Sequence, residues 1–507
     1  MADYSNPNIF FVVGCGRSGT TSLCRLLDSA TNAECLLEPS PNLNRESRDM
    51  MEGRYDRPFQ LIAETVLQRA AAVLDKGLIY GEKNVTLGPF IPHLHKLSKC
   101  RFVYVHRDGR DVVRSFIDWH NRMFGTIYRE CHEIGDLSER AKKSQASLPI
   151  ELDSSDYSRP RPGLDDIWFD QWEKFTRLEM CAWYWSRIND LYLDQLEALP
   201  ENEWISINYT SPEPSDLLRV TEFLGLNGLT SDDIKCQLGK RVNSLKDRID
   251  EGNNFPRWPD WTPIDRVRFE NIAARTMQRL GHYPTEYVRY CPPNYGEWWK
   301  QNEGGLDWYT WMYDSRLVAH NDFQYFVQCL DQAGHKVESL LDVGCGLAVG
   351  YADVFSERRY VGMDLSGKEA EWCRQNRPNS KHAYITGDII VNIPDEKFDV
   401  VFSQGTIDNS YDMDAMLKSM VACSSGWIYL TAYRGWFPEL SEHRYSWDES
   451  TTCFYNDISV SAVCRTLQAL GCVEISVSPL DMGIRENNPI RYETRIVARV
   501  AAGESGR

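Results

Sequence analysis

Two stretches of this 507-residue chain pass from an apolar strand through a glycine-rich turn into a helix-like segment, one at Ile9 to Leu23 and one at Leu340 to Gly350. Such a junction opens an alternating β/α series, because a parallel strand needs a crossover before the next one can pair. Each junction here is followed by its own series. The chain is also longer than a single hydrophobic core usually organises. The sequence therefore predicts two α/β domains in tandem, each with a parallel sheet and a glycine turn at the carboxyl end of its first strand.

In the first half, strands are predicted at Ile9 to Gly14, Leu78 to Gly81, Arg101 to His106 and Trp204 to Asn208. The first three precede helical patterns at Ser18 to Ser29, Pro89 to Leu97 and Arg110 to Asn121, and the fourth precedes Pro214 to Leu224. The breaker cluster from His282 to Gly305 marks the junction, giving domains at 1–290 and 309–507 with a linker at 291–308. In the second half, strands are predicted at Ser339 to Val343, Tyr360 to Met363, Ala383 to Thr386, Val400 to Ser403 and Trp427 to Thr431. A closing antiparallel pair, Val473 to Ser478 and Glu493 to Val500, is joined by a loop instead of a helix.

Composition excludes several classes. The polar start, Met1 to Asn8, and the absence of any long apolar run predict a chain without signal peptide or membrane anchor, hence cytoplasmic. The 15 cysteines show no CxxC pair or zinc-like spacing, so reduced thiols and no metal site are expected. A formal charge of −17 disfavours nucleic acid as a partner, although local arginines and backbone amides can still bind small anions.

Gly14-Cys-Gly-Arg-Ser-Gly-Thr-Thr places backbone N–H groups and a helix start where phosphate oxygens can bind. Gly14 and Gly19 have the spacing of a nucleoside triphosphate loop, but Thr20 stands where that loop carries its lysine. The segment resembles the 5′-phosphosulfate loop of sulfotransferases that use 3′-phosphoadenosine-5′-phosphosulfate (PAPS), particularly the bacterial and Golgi types. Phe102 to Phe116, a strand ending in Arg107 followed by a helix carrying Ser115, resembles the same family's 3′-phosphate element. Tyr80-Gly-Glu-Lys-Asn resembles its Glu-Lys motif. The resemblance implies a P-loop-like parallel-sheet fold. It implies PAPS binding by Gly16, Arg17, Ser18, Gly19, Thr20, Thr21, Arg107 and Ser115, with Lys240 and Arg241 in a closing loop. It implies Glu82 as general base, with Lys83 and Arg17 at the leaving-group charge; His93, His95 and His106 are rival bases. The aromatic stretch from Phe124 to Trp185 is a candidate acceptor wall, although Trp168, Trp172 and Phe175 have the spacing of core residues.

Leu340-Leu-Asp-Val-Gly-Cys-Gly carries Asp342 before its first glycine and reads GxGxxxG through Gly344, Gly346 and Gly350. With Asp364 ending the next strand, Asp388 and Ile389 after the third, and Phe398 to Ser403 as the fourth, it resembles class I S-adenosylmethionine-dependent methyltransferases of Rossmann-like fold. That resemblance implies S-adenosylmethionine as methyl donor, with Asp364 on the ribose hydroxyls. Ala348 stands where the family often has glycine, which matters only if the position needs positive φ. Asp408 and His443 are candidate bases.

The combined expectation is a bifunctional tailoring enzyme that sulfates and methylates a small molecule or glycan, with its oligomeric state left open. The alternatives are a sulfotransferase whose second domain only binds S-adenosylmethionine or acts as a scaffold, and a P-loop kinase, which the missing lysine disfavours.

Overall fold

Ile9–Val13 (β1) is five apolar residues with every side chain buried, as a central strand covered on both faces requires. In the computed structural model, which describes residues 8–122, 128, 159–238, 255–301, 305–482 and 492–501, β1 lies at the centre of a five-stranded parallel sheet. The others are β2 (Ala33–Leu37), β3 (Ile79–Lys83), β4 (Arg101–His106) and β5 (Trp204–Asn208), in the order β2-β3-β1-β4-β5. Successive side chains on a strand point to opposite faces. Phe10 and Val12 accordingly join Leu23, Leu27 and Ile207 in one core, while Ile9, Phe11 and Val13 join Tyr80, Tyr104, Trp185 and Tyr192 in another. Burying each such side chain contributes about 1.5–3 kcal/mol. Trp168, Trp172 and Phe175 belong to the second core.

Strand β2 has no counterpart in the sequence reading. Its alternation of buried and part-exposed residues includes Glu34, whose carboxylate accepts from Lys76 Nζ at 2.7 Å, so it lacks the apolar run of the inner strands. It occupies the sheet edge next to β3.

The chain divides into two units, Met1–Tyr287 and Val288–Arg507. The stretch read as a linker at 291–308 falls within the second unit, and among its described residues it holds the helix Glu297–Gln301 and the start of Gly305–Ser315. Tyr295 donates its hydroxyl to the Asn409 carbonyl at 2.8 Å, and Gly296 N–H donates to the Thr452 carbonyl at 2.8 Å.

The second unit has a seven-stranded sheet. Its strands are β6 (Ser339–Val343), β7 (Arg359–Asp364), β8 (His382–Thr386), β9 (Phe398–Gln404), β10 (Ser424–Ala432), β13 (Cys472–Asp481) and β14 (Tyr492–Val500). A separate ribbon pairs β11 (Trp447–Asp448) with β12 (Cys453–Phe454). The order β13-β14-β10-β9-β6-β7-β8 is parallel from β8 to β10, with β14 inserted antiparallel between β10 and β13. The chain runs outward from β6 through β7 to β8 and then returns to β9 on the other side of β6. The topological switch point thus lies between β6 and β9, where open α/β sheets hold their ligands. This is a Rossmann-like architecture. Among the described residues no helix is long and apolar enough to cross a membrane.

Candidate active sites

In the first unit, the turn between β1 and the helix α1 (Thr20–Leu27) is shaped by backbone conformations that side chains resist. Gly19 has φ +95°, and a Cβ there would stand inside the Tyr209 ring. Arg17 itself sits in the left-handed region, at φ 68°. Tyr192 braces the turn by donating its hydroxyl to the Gly14 and Val85 carbonyls at 3.4 and 3.1 Å. The Ser18 hydroxyl is buried with no hydrogen-bond partner, an orphaned donor inside an anion-binding type of turn.

The turn opens into a cleft of ≈ 820 Å³. Gly16, Arg17, Gly19, Thr20, Thr21, Lys83, Arg107 and Ser115 all line it, whereas Ser18 lies beneath its surface. Arg17 Nε donates to Ser115 Oγ at 2.9 Å, which joins the glycine turn to the helix Gly109–Arg122. Arg107 is held at the end of β4 by Trp185 Nε1, which donates to its carbonyl at 3.3 Å. Its guanidinium donates to Asp111 at 2.8 Å while facing the cleft. Lys240 and Arg241 lie outside the described residues.

Glu82, which the resemblance implies as general base, stands outside the cleft. Its side chain is fully buried and does not line the cleft. Arg69 donates to its two oxygens at 3.1 and 3.0 Å, Tyr80 donates its hydroxyl at 2.5 Å, and Asn84 Nδ2 donates at 3.3 Å. Neighbouring residues on β3 face opposite ways, so with Lys83 in the cleft Glu82 is turned into the core. The carboxylate that does reach the cleft is Glu38, one residue past β2, ion-paired with Lys83 Nζ. The Glu38 N–H donates to the Lys83 carbonyl at 2.8 Å, so sheet register brings the two together across 45 residues of sequence. In the sequence Glu38 is marked only by following Cys35-Leu-Leu.

The rival histidines also stand apart from the cleft. His95 pairs with Glu203, His93 packs edge-on against Phe59, and His106 Nδ1 lies 3.1 Å from His282 Nε2. Burial, with the His282 charge adding to it, pushes the His106 pKa down to about 4.

In the second unit, the carboxyl ends of four adjacent strands converge. Gly344, Gly346 and Gly350 follow β6 with φ of 79°, 51° and 86°, Asp364 ends β7, Asp388 follows β8, and Gln404 ends β9. Asp364 accepts the N–H groups of Gly346 and Ser366, each at 2.9 Å, and burial raises its pKa. Its carboxylate therefore ties the glycine turn to β7. Asp342 is buried, accepts the Tyr360 hydroxyl at 2.6 Å, and is pushed up to about 7 by desolvation. Asp388 accepts the Ile390 N–H at 2.9 Å, and Ile389 is buried beside it. Ala348 has φ 54°, so this position does demand the conformation that glycine supplies freely.

The helix Gly305–Ser315 lies across this turn. Tyr309 and Tyr313 occupy the space where a Cβ on Gly346 and on Gly350 would stand. Tyr309 also donates its hydroxyl to Glu369 at 3.2 Å.

Neither candidate base is open. Asp408 is fully buried, accepts the N–H groups of Tyr433 and Arg434 at 3.1 and 2.9 Å, and is raised to about 7 by burial. His443 Nδ1 accepts the Ser459 N–H at 3.1 Å, and burial lowers its pKa to about 4. Both pin the segment after β10. Among the described residues no group of three or more His, Cys, Asp or Glu side chains could hold a metal ion.

Residues 341–428 match the methyltransferase domain family, and the C-terminal unit carries such a domain. No curated protein matches the chain. Among solved structures, the chain is similar to magnesium protoporphyrin IX methyltransferase from Synechocystis PCC 6803 with bound S-adenosylmethionine. The identity is 14%, with 40% of this chain and 90% of that one covered and a TM-score of 0.28. It is also similar to an amino pentose methyltransferase from Micromonospora echinaspora, at 17% identity, covering 38% and 95%, with a TM-score of 0.28. A third is the N-methyltransferase NodS from Bradyrhizobium japonicum, at 12% identity, covering 36% and 88%, with a TM-score of 0.26.

Proposed function

We propose that the chain is a bifunctional transferase: the C-terminal unit methylates with S-adenosylmethionine and the N-terminal unit transfers a sulfuryl group from PAPS to a hydroxyl. For the first activity the carrying observation is the methyltransferase domain at residues 341–428, with Asp364 at the end of β7. The glycines of the turn carry no side chains of their own, Tyr309 and Tyr313 lie over two of them, and Asp364 supplies the acceptor that a ribose diol needs. S-adenosylmethionine brings an electrophilic methyl group; the chain contributes the crevice, the ribose acceptor and the aromatic cover of Tyr309.

For the second activity the support is the cleft that gathers Arg17, Lys83, Arg107 and Ser115 around a glycine turn with a buried, orphaned Ser18 hydroxyl. That donor set suits two anionic groups: Arg17, Thr20 and Thr21 for one at the turn, Arg107 and Ser115 for one beside β4. PAPS supplies the activated sulfuryl group. Glu38 is placed to take the acceptor's hydroxyl proton, and Lys83 and Arg17 to hold negative charge on the departing phosphate oxygen. Glu38 thus takes the base role that the resemblance implies for Glu82, while Lys83 and Arg17 keep theirs.

The test is binding. Adenosine 3′,5′-bisphosphate should bind the full chain more tightly than adenosine 5′-phosphate, and Arg107→Ala should erase most of that preference. Equal affinity for both nucleotides in the parent would overturn the PAPS reading. A second reading, in which the C-terminal unit binds S-adenosylmethionine without turnover, is favoured by the way Tyr309 and Tyr313 cover its glycine turn. Methyl transfer to any acceptor would dispose of it.

A further inference from the structure

The donor's anionic groups account for only part of the charge in the N-terminal cleft. Among the described residues its wall carries Arg17, Arg25, Arg48, Lys83, Arg107 and Arg159 against the single acid Glu38. This occurs in a chain of formal charge −17. Gathering like charges in one cleft is unfavourable unless an anion repays it.

Strand order divides these cations. The glycine turn follows the central β1; Arg107 directly follows β4 on one side of it, and Lys83 ends β3 on the other, with Glu38 beyond β2. The helix α2 (Asn44–Met51) follows on the β2–β3 side. It is fastened there through the Asn42 carbonyl, which accepts the Thr86 hydroxyl at 2.6 Å. Asn44, Ser47, Arg48 and Met51 line the cleft, and their spacing of three, four and seven residues is that of one helix face. Arg48 therefore stands on the side of Glu38 and Lys83, across the glycine turn from Arg107 and Ser115. Its Nη2 is 3.6 Å from Asp49, but that carboxylate also has Arg54 at 2.9 Å and Arg45 at 4.0 Å. Arg54 is shared in turn with Glu52, so what sets Arg48 apart is its place in the cleft wall.

We propose that the sulfuryl acceptor is a small hydroxylated oxyanion, bearing a carboxylate, sulfate or phosphate group, and that Arg48 binds this group with Asn44 and Ser47 as neutral donors beside it. A guanidinium fork suits any of the three oxyanions, and anchoring the charge at α2 leaves the acceptor's hydroxyl toward Glu38 and Lys83. The proposal rests on the reading of the cleft as a PAPS site, because it assigns Arg48 to what the nucleotide leaves over.

The full chain is first saturated with adenosine 3′,5′-bisphosphate and then titrated calorimetrically with inorganic sulfate at constant ionic strength. The parent should bind sulfate. Arg48→Gln should weaken that binding about tenfold or more and Arg48→Lys by less, as loss of a charge-assisted fork implies. Bisphosphate affinity should stay unchanged in both variants. Parallel titrations with acetate and inorganic phosphate rank the three oxyanions. Sulfate affinity that is the same in Arg48→Gln as in the parent, or no sulfate binding to the nucleotide-loaded parent, overturns the proposal. Failure of the bisphosphate to bind the parent shows up in the first step and removes the PAPS reading itself.

Discussion

Replacing Glu82 by glutamine and, separately, Glu38 by glutamine should give two different kinds of defect. Glu82 is fully buried and Arg69, at 15% exposure, donates to both of its oxygens. Glutamine keeps the volume and one acceptor oxygen but leaves the Arg69 cation without a counter-charge. Breaking a buried ion pair costs about 3–5 kcal/mol, and the residual exposure of Arg69 puts this case near 3. For a unit of this size that is a fall in melting temperature on the order of 5–10 °C. Glu38 is itself 46% exposed, so its change should cost less stability than that of Glu82, the remaining cost coming from Lys83, 3% exposed, which loses its carboxylate partner. Its glutamine variant should instead lose about 10²- to 10⁴-fold in sulfuryl transfer at saturating donor, as removal of a general base does. The assay pairs a thermal melt with the rate of sulfonated-product formation, each rate normalised to the fraction of chain that binds adenosine 3′,5′-bisphosphate. An Glu82→Gln chain as stable as the parent yet inactive, beside a fully active Glu38→Gln chain, would refute the assignment of roles.

Three further outcomes are expected from the second unit. Asp364→Ala should weaken S-adenosylmethionine binding by about ten- to a hundredfold, the effect of removing a charged acceptor of hydrogen bonds, while adenosine 3′,5′-bisphosphate binding is unchanged by calorimetry; equal losses for both would mean that the whole chain is disturbed. Ala348→Gly should raise the unit's stability toward denaturant by up to about 1 kcal/mol, since φ 54° is costly for any residue with a Cβ; a drop would show that Ala348 packing outweighs the strain. The Asp342 carboxyl titrates at about 7 in the folded unit, against roughly 3.9 when unfolded, so folding takes up a proton between those values. Its contribution is full below about pH 4 and is lost as pH rises through 7, so melting temperatures of Asp342→Asn should gain on those of the parent over that interval; parallel curves would place the titration elsewhere.

The elements that could be read in advance are those whose signal is local. The apolar run of β1 and the glycines beside it lie within a dozen residues, as do β6 and its turn, so neither needs information from a distant segment. The GxGxxxG turn and Asp364 were legible for the same reason. Strand β2 is not legible because an edge strand need not be apolar on both faces, and the helix Glu297–Gln301 is not because aromatic residues mixed with breakers carry no clear period.

Two α/β units and the place of each glycine turn can be read from the chain alone, because strand, turn and helix signals are written in neighbouring residues. Which acid faces the cleft depends on how the strands pack. Glu82 and Lys83 are adjacent on one strand and must point to opposite sides, and sequence does not say which side is core. Arg69 settles it for Glu82, arriving from the helix Val66–Leu74, while register with β2 brings Glu38 to Lys83. Charge placement follows the same logic: Arg48 is one arginine among many in the sequence, and it becomes part of a cleft wall only when the helix carrying it is fastened to the end of β3.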